Sequence, residues 1–154
     1  MNLKFLELDL NGHMQSLYQF AYALVPNELA SEQLVLQTYQ AYMIERKEMT
    51  ESMELFLFQR LFQLAQTKCH SIRSPQLKPE LSPFYSLEST QRAILFLKHK
   101  TAFSFEQMEK IVNLFRHEIM SHLLIGRERL LNQMGNSIET RSNEQDEFDF
   151  KYQV

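Results

Sequence analysis

Hydrophobic residues recur along most of the chain at three- and four-residue intervals, the spacing that is typical of amphipathic α-helices. A first helix is predicted by four such positions, Leu17, Phe20, Ala21 and Leu24. Pro26 ends this helix, and the side chain of Asn27 can cap a second one. A third helix is predicted after Thr50, its expected N-cap, with a broad apolar stripe over residues 57–65.

The C-terminal half has the same helical period. One helix is predicted to begin at the cap Ser86. A second, shorter helix is predicted from Ser104, which forms a capping-box pattern with Gln107, to Asn113, a residue that tolerates the left-handed conformation found at helix ends. These starts are predicted from polar side chains that can satisfy the free amide groups of a first helical turn.

A longer helix is predicted from about Phe115 to Gln133, with Gly135 as its stop. Together with the short helix before it, this segment has the outline of a helix-turn-helix, in which the second helix enters the major groove of DNA. Helical hairpins that bind nothing have the same spacing, so the spacing alone leaves both interpretations open.

Residues 70–86 interrupt the helical pattern, because three prolines fall there at every fourth position and exclude a continuous helix. We therefore predict an all-α protein of two small helical domains, 1–69 and 87–135, joined by this proline-rich linker. Residues 136–154 are polar and acidic, and are predicted to be a disordered tail. Only three glycines occur, too few for the many tight turns of an all-β fold.

Composition and charge narrow the class of protein. The chain has 154 residues, of which 44% are hydrophobic, enough for a core. Its single cysteine excludes an internal disulfide, and the sequence shows neither a secretory signal nor a membrane span, so we expect a cytoplasmic protein with no membrane partner. The net charge is −3, and of the two predicted domains only 87–135 leans basic, with seven Lys and Arg against five Asp and Glu. Nucleic-acid binding by the whole surface is therefore excluded.

Catalytic and metal-binding patterns are missing from the sequence. The glycines stand alone, so none of them forms a phosphate-binding loop. The five histidines are scattered, and Cys69 has no further cysteine ligands or evident base beside it. We therefore predict no enzyme activity, no metal, no cofactor and no small-molecule substrate.

Three segments of the C-terminal half form a pattern that is known from one protein family. They are residues 87–95 (LESTQRAIL), 103–108 (FSFEQM) and 127–130 (RERL). In this order they resemble the opening helix, the Leu-Ser-Tyr-Glu-Glu-Ile signature and the closing Arg-Glu-Arg-Leu of the −35-binding domain of bacterial sigma factors, in the small extracytoplasmic-function class. Residues 87–130 follow that pattern without a gap.

The N-terminal half resembles the polymerase-binding domain of the same family more loosely, through residues 17–18, 32–35 and 38–42. The resemblance implies promoter-specific initiation of transcription. The N-terminal domain would bind RNA polymerase and the −10 element, and the C-terminal domain would read the −35 element. The candidate residues for binding polymerase or another partner are Glu32, Gln33, Leu36 and Gln37 in this half, and Met120, Leu124 and Ile125 in the C-terminal half.

Several positions depart from the family pattern. Two charges of the polymerase-docking helix are missing, and Glu118 replaces a small neutral residue. In the third helix, which usually has basic residues that melt DNA, residues 53–64 offer only Arg60 as a base. Positions that are usually basic on the DNA face of the recognition helix are occupied by Met120, His122, Leu124 and Ile125. The candidate DNA contacts that remain are Lys98, Lys100, Arg116, His117, Ser121, His122, Arg127 and Arg129.

Two functions are consistent with this sequence. The first is a divergent sigma factor, or another DNA-binding regulator on that fold, which binds core RNA polymerase. The second is a sigma mimic that keeps the shape without binding DNA, for example by sequestering an anti-sigma factor. DNA binding is expected to be weak in the first case and absent in the second. We also expect Met120, Leu124 and Ile125 to pack on the N-terminal domain, a second copy or a partner, because exposed apolar area of that size marks an interface.

The acidic C-terminal segment has aromatic residues at alternating positions, Phe148, Phe150 and Tyr152. Such a composition cannot bury a core of its own, so the favoured interpretation is a solvated tail without a role. The alternative is a tail that lies across the helix-turn-helix and blocks its DNA face. The basic side chains available to it there are Lys98, Lys100, Lys110 and Arg116.

Overall fold

A computed structural model describes residues 10–68 and 82–139, and every regular element in those two ranges is helical. The all-α class predicted from the sequence is therefore confirmed. A π-helical turn, Leu10–Met14, leads into the first α-helix, and a 3₁₀ turn, Arg46–Glu48, follows the second. The α-helices are α1 (Gln15–Leu24), α2 (Glu28–Glu45), α3 (Met53–Lys68), α4 (Ser82–Tyr85), α5 (Ser89–Lys100), α6 (Phe105–Val112) and α7 (Arg116–Glu139).

Three of the predicted helix ends are confirmed by their geometry. The Asn27 side chain accepts a hydrogen bond from the amide of Ala30 at 2.9 Å, as an N-cap does. Ser104 and Gln107 form the complete capping box of α6, each side chain accepting from the other residue's amide. Asn113 ends α6 in the left-handed region, with φ 54° and ψ 48°.

Two predicted caps are wrong by two residues. The side chain that caps α3 is Ser52 and not Thr50, because Ser52 directly precedes the helix and its hydroxyl can reach the amide of Leu55, at 3.3 Å. Helix α5 begins after Glu88 and not at Ser86, whose hydroxyl is engaged with the preceding turn through a 2.7 Å bond to a carbonyl.

Helix α7 is longer than predicted, because it passes through Gly135 and ends at Glu139. Its other glycine, Gly126, lies where α7 crosses α5. A Cβ atom at that position would stand 3.2 Å from the Leu95 side chain. The absence of a side chain at Gly126 thus permits the close approach of two helices and does not interrupt α7.

The buried residues on both sides of the 69–81 segment form one hydrophobic cluster. Phe20 of α1 is fully buried, and its ring centre lies 5.2 Å from that of Phe58 and 5.3 Å from that of Phe96. Phe58 in turn packs edge-on against Phe103 at 5.1 Å. Aromatic pairs at these distances stabilise a core beyond the area they bury, so this cluster fixes α1 and α3 against α5.

Arg92 of α5 also fixes α5 against α1. Its guanidinium donates hydrogen bonds to the carbonyl oxygens of Ala23, at 2.7 Å, and Leu24, at 2.9 Å. These carbonyls lie at the C-terminal end of α1, where they lack hydrogen-bond donors from the helix itself and where the helix dipole is negative. A cationic donor at this position supplies the missing hydrogen bonds and also stabilises the negative end of the dipole. The same side chain also donates to the carbonyl of Leu87.

Several predictions fall outside the described residues. These are the whole of 69–81 with Cys69, the first nine residues, and the tail from residue 140 onward. The described end of the predicted linker contains the single helical turn α4, which packs beside α7. Within the described ranges, none of the helices combines the length and the apolar character that a membrane span requires.

Candidate functional site: a groove beside helix α7

A groove of about 710 Å³ lies where α1, α4, α5 and α7 meet. Its size is within the range of pockets that hold ligands in proteins. The floor comes from α5, and the second half of α7 forms one wall. The apolar side chains that line it include Phe84, Leu95, Phe96, Leu130, Leu131 and Met134.

Positive charge concentrates at one edge of this groove, where Lys100 and Arg127 line it together with His99. The Arg127 guanidinium is 3.3 Å from Nε2 of His99. Partial burial is the main cause that lowers the pKa of His99 below its ordinary value of 6.5, and the charge of Arg127 is the next. The ring is therefore neutral at pH 7, and its Nε2 can accept a hydrogen bond from the guanidinium. Within residues 10–68 and 82–139, no carboxylate comes within ion-pair distance of Lys100 or Arg127.

Tyr85 lines the groove beside the junction of α1 and α5. Its hydroxyl faces the carbonyl oxygen of Tyr22 at 3.5 Å, and the two rings meet edge to face at 6.1 Å. The Arg92 guanidinium lies 5.6 Å from its ring centre. Burial raises the pKa of Tyr85 to about 12, so it contributes an uncharged, polarisable wall.

An exposed stripe on α7 leads into the groove. The residues that share this face, at intervals of three and four, are Met120, Leu124, Arg127, Leu131 and Met134. Leu124 is 62% exposed and Met120 is 42% exposed. We call this set the α7 stripe; apart from Arg127 it is apolar.

The predicted DNA contacts divide between two places. Lys98 and Arg116 flank the ring of Phe105, with Nζ of the lysine 4.8 Å and the guanidinium carbon of the arginine 5.6 Å from the ring centre. Lys100 and Arg127 line the groove instead. The structure therefore does not gather the predicted bases on one surface.

Other predicted DNA contacts are already engaged or turned inward. Arg129 donates to the side chain of buried Gln91 at 3.2 Å. His122 is half-buried, and its Nδ1 is buried without a hydrogen-bond partner among the described residues. Ser121 is exposed.

We call the surface around α6 and the start of α7, residues 105–125, the α6–α7 corner. Basic side chains on this surface lie close to carboxylates. Arg116 lies 3.5 Å from Glu109, and His117 lies 3.9 Å from Glu118. Lys110 of α6 lies 3.9 Å from Glu51 in the loop before α3. The carboxylates beside Arg116 and Lys110 compete with phosphate for these two cations, which weakens non-specific DNA affinity.

The residues predicted to bind polymerase lie on the outer face of α2. Glu32, Gln33 and Leu36 are exposed, and Gln37 is half-buried. On the neighbouring helix, Arg60 is committed to an ion pair with Glu45 at 2.7 Å. The face of α2 is thus open to a partner, whereas Arg60 of α3 is already paired.

Comparisons with known proteins identify the type of fold. Neither protein-family models nor curated sequences give a significant match. Among solved structures, the sigma factor RpoE in complex with the anti-sigma factor NepR from Bartonella quintana is similar with a TM-score of 0.69 and 19% identity, over 86% of this chain and 98% of that one. The chain has a sigma-like fold.

A second similar structure is the anti-anti-sigma factor PhyR, complexed with the anti-sigma factor NepR, also from Bartonella quintana. Its TM-score is 0.62 at 13% identity, over 83% of this chain. The sigma-like chain spans only 50% of that protein's length. Both similar proteins are regulators, and neither is an enzyme.

Within residues 10–68 and 82–139, the sigma-like fold leaves the expected apolar patch exposed. Met120, Leu124 and Ile125 are 42%, 62% and 38% exposed, so the alternative that they pack on the N-terminal domain is wrong. The physical reason is the direction of α7, which turns Ile119 and Leu123 into the core instead. A second copy or a partner stays a prediction for this patch.

Sequence reasoning missed most of the groove. Tyr85, His99, Leu131 and Met134 stand in three different helices, and nothing local marks them as neighbours. One signal was available, since apolar residues continue at helical spacing along α7 to Met134, past the expected DNA-facing positions 120–125.

Proposed function

We propose that this sigma-like protein is a transcription regulator that acts by binding an anti-sigma-type protein in the groove beside α7. The groove carries the proposal, because apolar walls next to two cations without a described carboxylate partner suit an amphipathic segment of a protein. The two similar structures, each a complex with an anti-sigma factor, support a partner of this class.

The arrangement of the two helical halves supports the same proposal. The similarity to the RpoE structure extends over 86% of this chain, more than either half provides. In this protein, Arg92 and the Phe20 cluster hold the halves together, and their junction forms the groove. A partner that binds there would contact both halves at once and fix their arrangement.

Core RNA polymerase is the second proposed partner, and the open face of α2 favours it. Glu32, Gln33 and Leu36 point away from the core and leave room for a protein surface. DNA is proposed as a weak partner, because the cations of the α6–α7 corner lie beside carboxylates. Both activities would place the protein in the cytoplasm.

The test is isothermal titration of the purified chain with NepR from Bartonella quintana as the probe. The double variant Leu131→Gln/Met134→Gln removes apolar wall from the groove with good helix formers. The matched control is Leu29→Gln/Ile44→Gln, two exposed positions on α2. We expect the groove variant to bind at least about tenfold more weakly and the control to bind within about twofold of the unchanged chain.

Two results would contradict the proposal. One is equal affinity of the groove variant and the unchanged chain. The other is the absence of binding both by the full chain and by a chain that ends at residue 139.

A further inference from the structure

The apolar walls and positive edge of the groove are complementary in composition to residues 140–154 of this same chain. Its walls are apolar and its edge has Lys100 and Arg127, to which the described residues supply no carboxylate. Residues 140–154, by contrast, contain four Asp and Glu against two Lys and Arg. They also contain three aromatic residues at alternating positions, a spacing that would place the three rings on one side if the segment bound in an extended conformation.

The point at which this segment begins is close to the groove. Met134 lines the groove, and the described part of α7 extends five residues further to Glu139, a distance of about 7.5 Å along the helix. Residues 140–147 can span up to about 27 Å when extended. The wall from Arg127 to Met134 is only about 10 Å long. The chain is therefore long enough to reverse direction and bring Phe148 to the groove.

We infer that the acidic C-terminal segment, residues 140–154, occupies the groove beside α7 and competes there with the protein partner. Its aromatic side chains would contact Phe84, Leu131 and Met134, and its carboxylates would pair with Lys100 and Arg127. The inference rests on the proposed function only in taking the groove as the partner's site.

The α6–α7 corner is a poorer site for the same segment. Two of the four basic residues predicted to contact the tail at the helix-turn-helix already have acidic neighbours, because Lys110 lies beside Glu51 and Arg116 beside Glu109. Lys100 instead lines the groove. An acidic segment gains more where its carboxylates meet cations that lack such neighbours.

Only weak intrinsic affinity is required for this competition. A short flexible tether gives an effective concentration of about 1 mM. If the free peptide has a dissociation constant of about 100 µM, the tethered segment would be bound in the groove about ten times as often as it is unbound. A partner that needs the open groove would bind about tenfold more weakly.

The direct test uses a synthetic peptide of residues 140–154 and a chain that ends at residue 139. Every described residue of the buried core lies at or before Leu123, so the shortened chain keeps that core, and circular dichroism with thermal unfolding checks this. Fluorescence anisotropy of the labelled peptide should give a dissociation constant of about 100 µM. A peptide with Phe148→Ser and Phe150→Ser has the same charges and should bind at least about fivefold more weakly.

Matched charge variants locate the binding site. Lys100→Gln/Arg127→Gln in the groove should weaken peptide binding at least about fivefold, whereas Lys110→Gln/Arg116→Gln at the corner should leave it within about twofold. No binding at about 1 mM peptide would overturn the inference, since the tether cannot exceed that concentration. A greater loss in the corner variant than in the groove variant would overturn it as well.

Titration with NepR separates this inference from the proposed function. If both are correct, the chain ending at residue 139 binds NepR about tenfold more tightly than the full chain. Equal affinity of the two chains overturns the tail inference and leaves the proposed function standing. If the peptide binds in the groove but neither chain binds NepR, the proposed function is contradicted, whereas the inference that the tail occupies the groove still stands.

Discussion

The two ends of α7 differ in how their charges are balanced. At the α6–α7 corner, Arg116 and His117 each lie within 4 Å of a carboxylate, at 3.5 and 3.9 Å. At the groove, two to three turns further along the same helix, Arg127 lies beside His99 and Lys100, and the described residues provide no carboxylate. Among the described residues, the start of α7 thus has carboxylates beside its basic side chains, whereas Arg127 in its second half has none.

This difference bears on which partners each end suits. A surface that reads DNA needs cations free to meet phosphates, and the corner offers few. The groove adds apolar depth to its positive charge, which is the composition of a protein-binding site. The proposed protein-binding site of this sigma-like protein is therefore the groove along the second half of α7 and not the α6–α7 corner.

Removing the ring that joins the two halves is expected to have the largest effect. Phe20→Ala deletes a fully buried ring between Phe58 and Phe96, and should lower the free energy of unfolding by about 4 kcal/mol. The control at the corner is Phe115→Ala, a ring that is 70% exposed, and should cost less than about 0.5 kcal/mol. Urea denaturation measures both. Equal losses would mean that the corner is packed as tightly as the junction.

Arg92→Ala should have the next largest effect, about 2 to 3 kcal/mol in the free energy of unfolding. The change leaves the carbonyls of Ala23 and Leu24 without their charged donor at the end of α1. Arg92→Lys retains the charge but not the forked geometry, so an intermediate loss is expected. Urea denaturation again provides the measurement, and a loss below about 0.5 kcal/mol for Arg92→Ala would show that the junction does not depend on this contact.

DNA binding tests the corner directly. We expect weak affinity for duplex DNA, with a slope of log K against log salt concentration no steeper than about −3, because few cations there are free to displace counterions. Fluorescence anisotropy over a salt series measures this slope. Sub-micromolar binding at physiological salt that is lost in Arg116→Ala/Arg127→Ala would restore a DNA-reading function.

Acidification should produce the smallest effect. Partial burial and the nearby Arg127 lower the pKa of His99 in the folded protein, so the unfolded chain takes up a proton at higher pH than the folded chain does. The contribution of His99 to stability is therefore present above pH 6.5 and is lost as the pH falls through the folded pKa. Urea midpoints at about pH 7.5 and about pH 5.5 should differ less in His99→Gln than in the unchanged chain. An identical difference in both proteins would exclude His99 as a contributor.

The positions of the helices were accessible from the sequence because the interactions that set them are local. The caps at Asn27 and Ser104 and the left-handed Asn113 act over three or four residues, within reach of a pattern in the chain. The same locality explains two errors, since Thr50 and Ser86 have the chemistry of caps but stand two residues before the helices that form. Gly135 was misread because a glycine late in a helix ends it only where the backbone turns left-handed, and here it does not.

The groove was decided by tertiary structure alone. Its lining residues come from four helices, and the contacts that hold these helices together join residues far apart in sequence, as when Arg92 reaches carbonyls 68 and 69 residues earlier. A hydrophobic period shows that a helix face is buried but not which face it meets, because apolar packing has no directional signal in one dimension. Likewise, a count of charges gave residues 87–135 a weak positive balance, whereas only the fold shows which cations lie beside carboxylates and which face an apolar groove.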